Sequence, residues 1–180
     1  MKNFLTQEPP LFEEVQRFNQ FWLRLLLAPI VIGALYLIVA GTYTQLIRGI
    51  PFGDKPVPDG ALVAINVFIL LLGVALPLGL MNVKLKIRLD RQALIANFWP
   101  LTSRTIPLAK IKSWEARDYR PIRDYGGWGV RYSLTQGHWI YNVQGHRGVL
   151  LQLADGKQFM LGSQRADELA QALAEAKKSC

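Results

Sequence analysis

Seven side chains within fifteen residues carry the clearest chemistry in this chain: Arg117, Tyr119, Arg120, Arg123, Tyr125, Trp128 and Arg131. Arginine forks bind phosphate or carboxylate through paired hydrogen bonds, and Trp and Tyr rest at the headgroup level of a bilayer. The same residue types are enriched at protein-binding hot spots. A third reading is a solvated loop whose aromatic rings fold back onto the domain beneath. A second basic group, Lys84, Lys86 and Arg88, alternates with apolar residues. It fits attraction to anionic lipid, or simply the positive charge that marks the cytoplasmic flank of a membrane segment.

Catalytic and metal chemistry find little material. The only cysteine is Cys180, so no disulfide framework and no multi-thiolate site can form. It is the last residue, whereas a prenylated cysteine stands fourth from the end. His138 and His146 lack further ligands at a recognisable spacing and have no evident carboxylate partner, so both are expected to be solvated. Ser163 precedes an acidic first turn (Asp167, Glu168) and reads as a helix cap rather than a nucleophile. Gly126-Gly127-Trp128-Gly129 is followed by strand-like sequence, where a dinucleotide loop requires a helix. Gly145-His146-Arg147-Gly148 reads as a connection between strands. No catalytic residue, cofactor or metal is therefore expected, and an enzyme acting on lipid would need a convergent pocket of titratable groups.

The elements that must position these residues begin with two uncharged runs, Leu25–Ile47 and Gly60–Val83. Each is long enough as a helix to cross a hydrocarbon core of about 30 Å. The short Arg48–Gly60 loop, rich in Pro and Gly, makes them a transmembrane hairpin (residues 25–83) with both chain ends on one side. Basic residues are concentrated on that side, which places both termini in the cytoplasm. Pro29 and Pro77 are expected to bend the helices, and Ala75 and Gly79 to allow close packing. The spans contain no ionisable group, which argues for an anchor rather than a transporter, with Arg24 snorkelling at the edge. Ahead of them, in residues 1–24, Pro9-Pro10 and the spacing of Leu11, Val15, Phe18 and Trp22 predict an amphipathic helix. It fits either the membrane interface or the surface of the soluble domain.

From Val83 the period changes to two. Strands are expected at 83–89, 93–99, 105–108, 111–119, 130–134, 139–143, 149–153 and 158–161, with 120–129 as a loop and Asp155-Gly156 as a hairpin turn. A helix after Ser163 carries Leu169 and Leu173 on one face and ends on Lys177 and Lys178. Seven or eight short strands closed by one helix predict a small antiparallel barrel or sandwich over residues 84–180. With the segments YRPIRDYGGWGVR (Tyr119–Arg131), YNVQGHRGVLLQLADGK (Tyr141–Lys157) and LGSQRADELAQAL (Leu161–Leu173), the chain resembles bacterial two-span membrane proteins with a pleckstrin-homology-like (PH-like) cytoplasmic domain. The resemblance implies a membrane-anchored α+β protein of the bacterial inner membrane, with a PH-like β-barrel or sandwich of about seven strands and a C-terminal helix.

The net charge of +8 sharpens the choice of partner. Residues 1–83 hold five basic and five acidic side chains, so the whole excess lies in 84–180. Basic residues tethered beside a bilayer already face an anionic surface, and no RNA-binding aromatic motif is present, which argues against nucleic acid. The expectation is a non-enzymatic membrane protein whose cytoplasmic domain binds or positions a protein partner. The alternative is a sensor of anionic headgroups. The sequence leaves both monomer and homo-oligomer open.

Overall fold

The computed structural model describes residues 9–18 and 21–178; Cys180 lies outside them. The chain forms two units, one from the described residues of Met1–Arg17 and Val83–Cys180, the other from Phe18–Asn82.

In the second unit, α1 (Phe21–Gly41) continues into a π-helical stretch, Thr42–Ile47. After a loop, α2 (Asp59–Ile69), a π-helical stretch (Leu70–Ala75) and α3 (Leu76–Asn82) form a second continuous helix. Phe21–Ile47 and Asp59–Asn82 are both long and apolar enough to cross a membrane. Most of their side chains are exposed, but Leu27, Ala34 and Gly41 recur every seven residues as a buried seam. The close approach expected at Ala75 and Gly79 occurs instead at Gly73. A Cβ added at Gly73 would stand 2.7 Å from that of Ala34, whereas one at Gly79 meets nothing within 4 Å. Heptad spacing on α1, not the small-residue pair on the partner, selects the contact.

Uncharged polar residues tie the helices together. Asn66 Nδ2 donates to Thr42 Oγ1 at 3.0 Å. Gln45 is buried and donates to the Val57 carbonyl (2.6 Å) and Asp59 Oδ1 (2.9 Å), while its own carbonyl accepts from the Phe52 N–H. Pro29 lies inside α1, which stays helical through it, and Pro77 follows the π-helical stretch at the start of α3.

The other unit contains nine strands. β1 (Phe12–Arg17), β2 (Lys84–Leu89), β3 (Ala93–Trp99) and β4 (Thr102–Pro107) form an antiparallel sheet in that order. The second sheet has the order β5-β8-β9-β7-β6, built from β5 (Ile111–Asp118), β6 (Gly129–Ser133), β7 (His138–Asn142), β8 (Arg147–Leu153) and β9 (Gln158–Gly162). Its β7–β9 pair is parallel and the others are antiparallel. The strand alternation in β2 and β3 puts Leu85, Ile87, Leu89, Leu94, Ala96 and Phe98 inside. Phe98 meets Tyr141 edge-on at 6.1 Å, and the Arg104 guanidinium lies 4.5 Å from the Phe159 ring, so the sheets face each other across one core. They do not close into a barrel. The final helix, α5 (Ala166–Lys178), buries Leu169 and Leu173 and receives a hydrogen bond from Trp114 Nε1 to the Ala170 carbonyl.

The amphipathic helix expected from Leu11, Val15, Phe18 and Trp22 is not formed, because Phe12–Arg17 is a strand paired with β2. Its inward residues are Phe12, Glu14 and Gln16, while Val15 remains half exposed. The polar pair points inward because backbone groups there need partners. Gln16 Nε2 donates to the Gly162 carbonyl at 2.8 Å. The Glu14 carboxyl accepts from Ser163 Oγ (2.5 Å) and from the Gln164 N–H (2.9 Å), and Ser163 Oγ accepts from the Arg165 N–H. Ser163 thus does help to start the helix, with Glu14 behind it. Removing this carboxyl takes the partner from the buried Ser163 hydroxyl and from the Gln164 N–H at a helix start. Glu14→Ala is therefore expected to cost about 2 kcal/mol, seen as a lower thermal midpoint of the full chain in detergent. An unchanged midpoint would show that the tie is dispensable.

Candidate functional site

The segment between β5 and β6, read from sequence as a loop, contains a short helix, α4 (Pro121–Tyr125). Pro121 suits a first helical turn, where its missing N–H costs nothing. Asp124 Oδ2 accepts from the Arg120 N–H at 2.8 Å. Gly126, with φ +71°, ends the helix in the left-handed region, and the N–H groups of Gly126 and Gly127 return to the Ile122 and Pro121 carbonyls.

This geometry divides the seven candidate residues. Tyr119 and Tyr125 are buried and meet edge-on at 5.7 Å, in a core cluster with Ile140 and Met160. Neither is a surface anchor. Tyr119 accepts a hydrogen bond from Asn142 Nδ2 (3.2 Å), and burial pushes its hydroxyl up to about 12. Arg120, Arg123 and Trp128 line an open groove of about 860 Å³, with Asp118, Ile122, Asp124 and His146 beside them and Tyr119 at its floor. Arg117 and Arg131 are exposed but lie outside its walls. Arg131 Nε donates to the Trp128 carbonyl at 2.9 Å and so ties β6 to a residue of the groove wall.

Sequence reading missed Ile122 and His146. Ile122 is 69% exposed, and its only signal was an isolated apolar residue in a polar segment. The Tyr119 N–H donates to the His146 carbonyl at 2.7 Å, which draws the Gly145–Gly148 connection to the groove. In the second basic group, two of the three cations have carboxylate partners. Lys86 Nζ lies 2.6 Å from Glu13, Arg88 pairs with Asp90 at 2.8 Å, and Lys84 lies over the Trp99 ring at 5.4 Å. The Lys86 ammonium holds the Glu13 carboxyl below its usual range.

His138, expected to be solvated, is buried in β7. Nδ1–H donates to the Gln136 carbonyl (2.9 Å), which leaves Nε2 to accept from the Tyr125 hydroxyl (2.8 Å). Burial lowers the imidazole below its usual 6.5, the Gln136 carbonyl opposes this, and the Arg117 charge adds to it. The unfolded chain takes up this proton near pH 6.5 and the folded chain only at lower pH. The stabilisation is therefore complete above 6.5 and is lost as pH falls through the folded value. The thermal midpoint of the full chain should fall between pH 7.5 and 5, with a smaller fall in His138→Gln. Equal falls would remove His138 as the cause, since carboxylates such as Glu13 act in a lower window, below 4.5.

The groove thus offers two guanidiniums, an imidazole, an indole and an exposed aliphatic side chain, facing two carboxylates. Asp124 is engaged by the Arg120 N–H, and Asp118 stands 4.0 Å from Arg147. No family model matches the chain, and no curated protein matches it in sequence. The groove must therefore be interpreted from its own chemistry. Mixed charge around apolar side chains suits an extended peptide better than a phosphate, which requires converging cations. Among the described residues, no group of three or more His, Cys, Asp or Glu is placed to hold a metal ion.

Proposed function

We propose that this chain is a non-enzymatic integral protein of the bacterial inner membrane. Its two apolar helices cross the bilayer as a hairpin, and its cytoplasmic PH-like domain binds or positions a protein partner at the membrane. The β1–β2 pairing supports the hairpin, because the residues before and after the helical unit must then lie on one side. The charge excess in 84–180 supports the cytoplasmic side. Two facing sheets with a C-terminal helix support a PH-like domain, here with open sheets and a first strand supplied from before the helices.

The observation that carries the reading is the groove, where Ile122 and Trp128 stand among charges of both signs. Such a surface selects a segment with an apolar anchor and flanking charges of both signs. The headgroup-sensing alternative loses support at Lys86 and Arg88, which already have carboxylate partners, and keeps it only at Lys84.

The test is affinity purification of the full chain from membranes, with proteins identified by mass spectrometry. Trp128→Ala is expected to cost about 2 kcal/mol, roughly thirtyfold in affinity, and Arg123→Ala to lose the same partner. Arg117→Ala, outside the groove, should retain it. A partner set unchanged by either groove substitution would overturn the proposal.

A further inference from the structure

One end of the first sheet carries a group of residues unlike the rest of its surface. Arg17 of β1 is directly opposite Lys84 of β2, and Lys84 is directly opposite Trp99 of β3. The Lys84 ammonium lies 5.4 Å from the Trp99 ring centre. Beyond Trp99 the chain turns at Pro100 and Leu101, with the Leu101 N–H returning to the Phe98 carbonyl. Trp99 is 50% exposed and Leu101 66% exposed, so two large apolar side chains protrude from the hairpin tip beside two cations.

Three facts make this row costly in water. Like charges directly opposite on neighbouring strands repel. Glu13, the carboxylate on the same face of β1, is four residues from Arg17 and is engaged by Lys86. An exposed Trp–Leu pair at a turn also lacks the apolar cover that such side chains find in a core. All three costs fall at a surface that is anionic outside and apolar a few ångströms further in. The chain leads to such a surface: Lys84 is two residues after Asn82, the end of one apolar helix, and Arg17 is four residues before Phe21, the start of the other.

We propose that the β3–β4 tip is a membrane-docking site. Trp99 and Leu101 enter the headgroup–acyl boundary, and Arg17 and Lys84 take the phosphates of anionic phospholipids. This rests on the reading of the two apolar helices as membrane spans, and it is independent of the protein-binding groove. It also gives the opposite end of the sheet, the Asp90–Gln92 turn, a definite place in water: β3 separates the two ends by about 20 Å.

The test uses the full chain in a Cys180→Ser background, reconstituted in vesicles of phosphatidylcholine with or without phosphatidylglycerol. Spin labels are attached singly at Leu101→Cys, Gln92→Cys and Phe68→Cys. Immersion is read from the ratio of collision with oxygen to collision with a water-soluble nickel chelate. The expected result is a high ratio at Phe68, an intermediate one at Leu101 and a low one at Gln92. With phosphatidylglycerol present, Arg17→Gln with Lys84→Gln should shift the Leu101 ratio toward that of Gln92. A Leu101 label as aqueous as Gln92, with Phe68 still immersed, overturns the docking site alone. A Phe68 label in water overturns the spans and this proposal with them. A Leu101 ratio indifferent to the paired substitution and to phosphatidylglycerol overturns the role of the two cations.

Discussion

Tyr125→Ala is expected to destabilise the β unit by about 3–5 kcal/mol, the range for removing a buried aromatic ring. The ring packs edge-on against Tyr119, and its hydroxyl is a partner of His138. Tyr125 is also the last residue of α4, so the same substitution loosens the helix that carries Ile122 and Arg123 into the groove. Arg123→Ala, on the exposed face of α4, should stay within about 0.5 kcal/mol of the parent. Thermal unfolding of the full chain in detergent, followed by near-ultraviolet circular dichroism, separates the two. If both variants melted together, Tyr125 would belong with the surface residues that the sequence pattern grouped it with. Tyr125→Phe should retain most of the packing and lose only the hydrogen bond, about 1 kcal/mol.

The second large effect is expected at a residue with no side chain. Gly148 of β8 is opposite Gly162 of β9, and on its other side opposite Arg117 of β5. A methyl group at Gly148 would collide with the Leu161 carbonyl oxygen and stand 2.9 Å from the Gly162 Cα. Both are backbone atoms that cannot swing aside. A methyl group at Gly162 would stand 2.6 Å from Asn142 Cβ and 2.7 Å from the Tyr119 hydroxyl. Strand separation at this point would part β8 from β9 and disturb the floor of the groove through Tyr119. Gly148→Ala is expected to cost about 3 kcal/mol, the upper end of the usual overpacking range. Gly79→Ala is the contrasting case, since nothing lies within 4 Å of the new methyl and the site is helical. Its midpoint should equal or exceed that of the parent, and an equal effect at both glycines would refute the steric argument.

What the sequence made legible depended on how far each signal reaches along the chain. Period-two alternation is local, and it placed β3 at its observed bounds and most other strands within a residue or two. β1 escaped because its buried face is Phe12, Glu14 and Gln16, and its apolar Val15 faces outward. The reason is more than a hundred residues away, at Gly162 and Gln164, where a carbonyl and an N–H require side-chain partners. Closure fared likewise: alternation shows which residues turn inward but not which strand lies beside which, so two open sheets and one barrel read alike. In the candidate site, residue type located the segment, but only its folded path puts Arg120, Arg123 and Trp128 on the groove walls, the buried Tyr119 beneath them and Tyr125 in the core. Lys86 reads as a free cation in the sequence because its partner Glu13 is expected there in a helix, not on the neighbouring strand, whereas Arg88 pairs with Asp90 just beyond its own strand.

The strand that misled the sequence reading also sets an order of events during synthesis. β1 is made before the two apolar helices, yet its partner β2 follows only after both of them. Until then Glu14 and Gln16 have no helix start to serve, and β2 later emerges as a bare edge waiting for a strand made long before. The domain is thus a clasp closed around an insertion, and cutting the chain at residue 84 removes half of the clasp. A soluble version should begin with residues 9–17 and join Arg17 to Lys84 by a tight two-residue turn, since those two already stand opposite each other in an antiparallel pair.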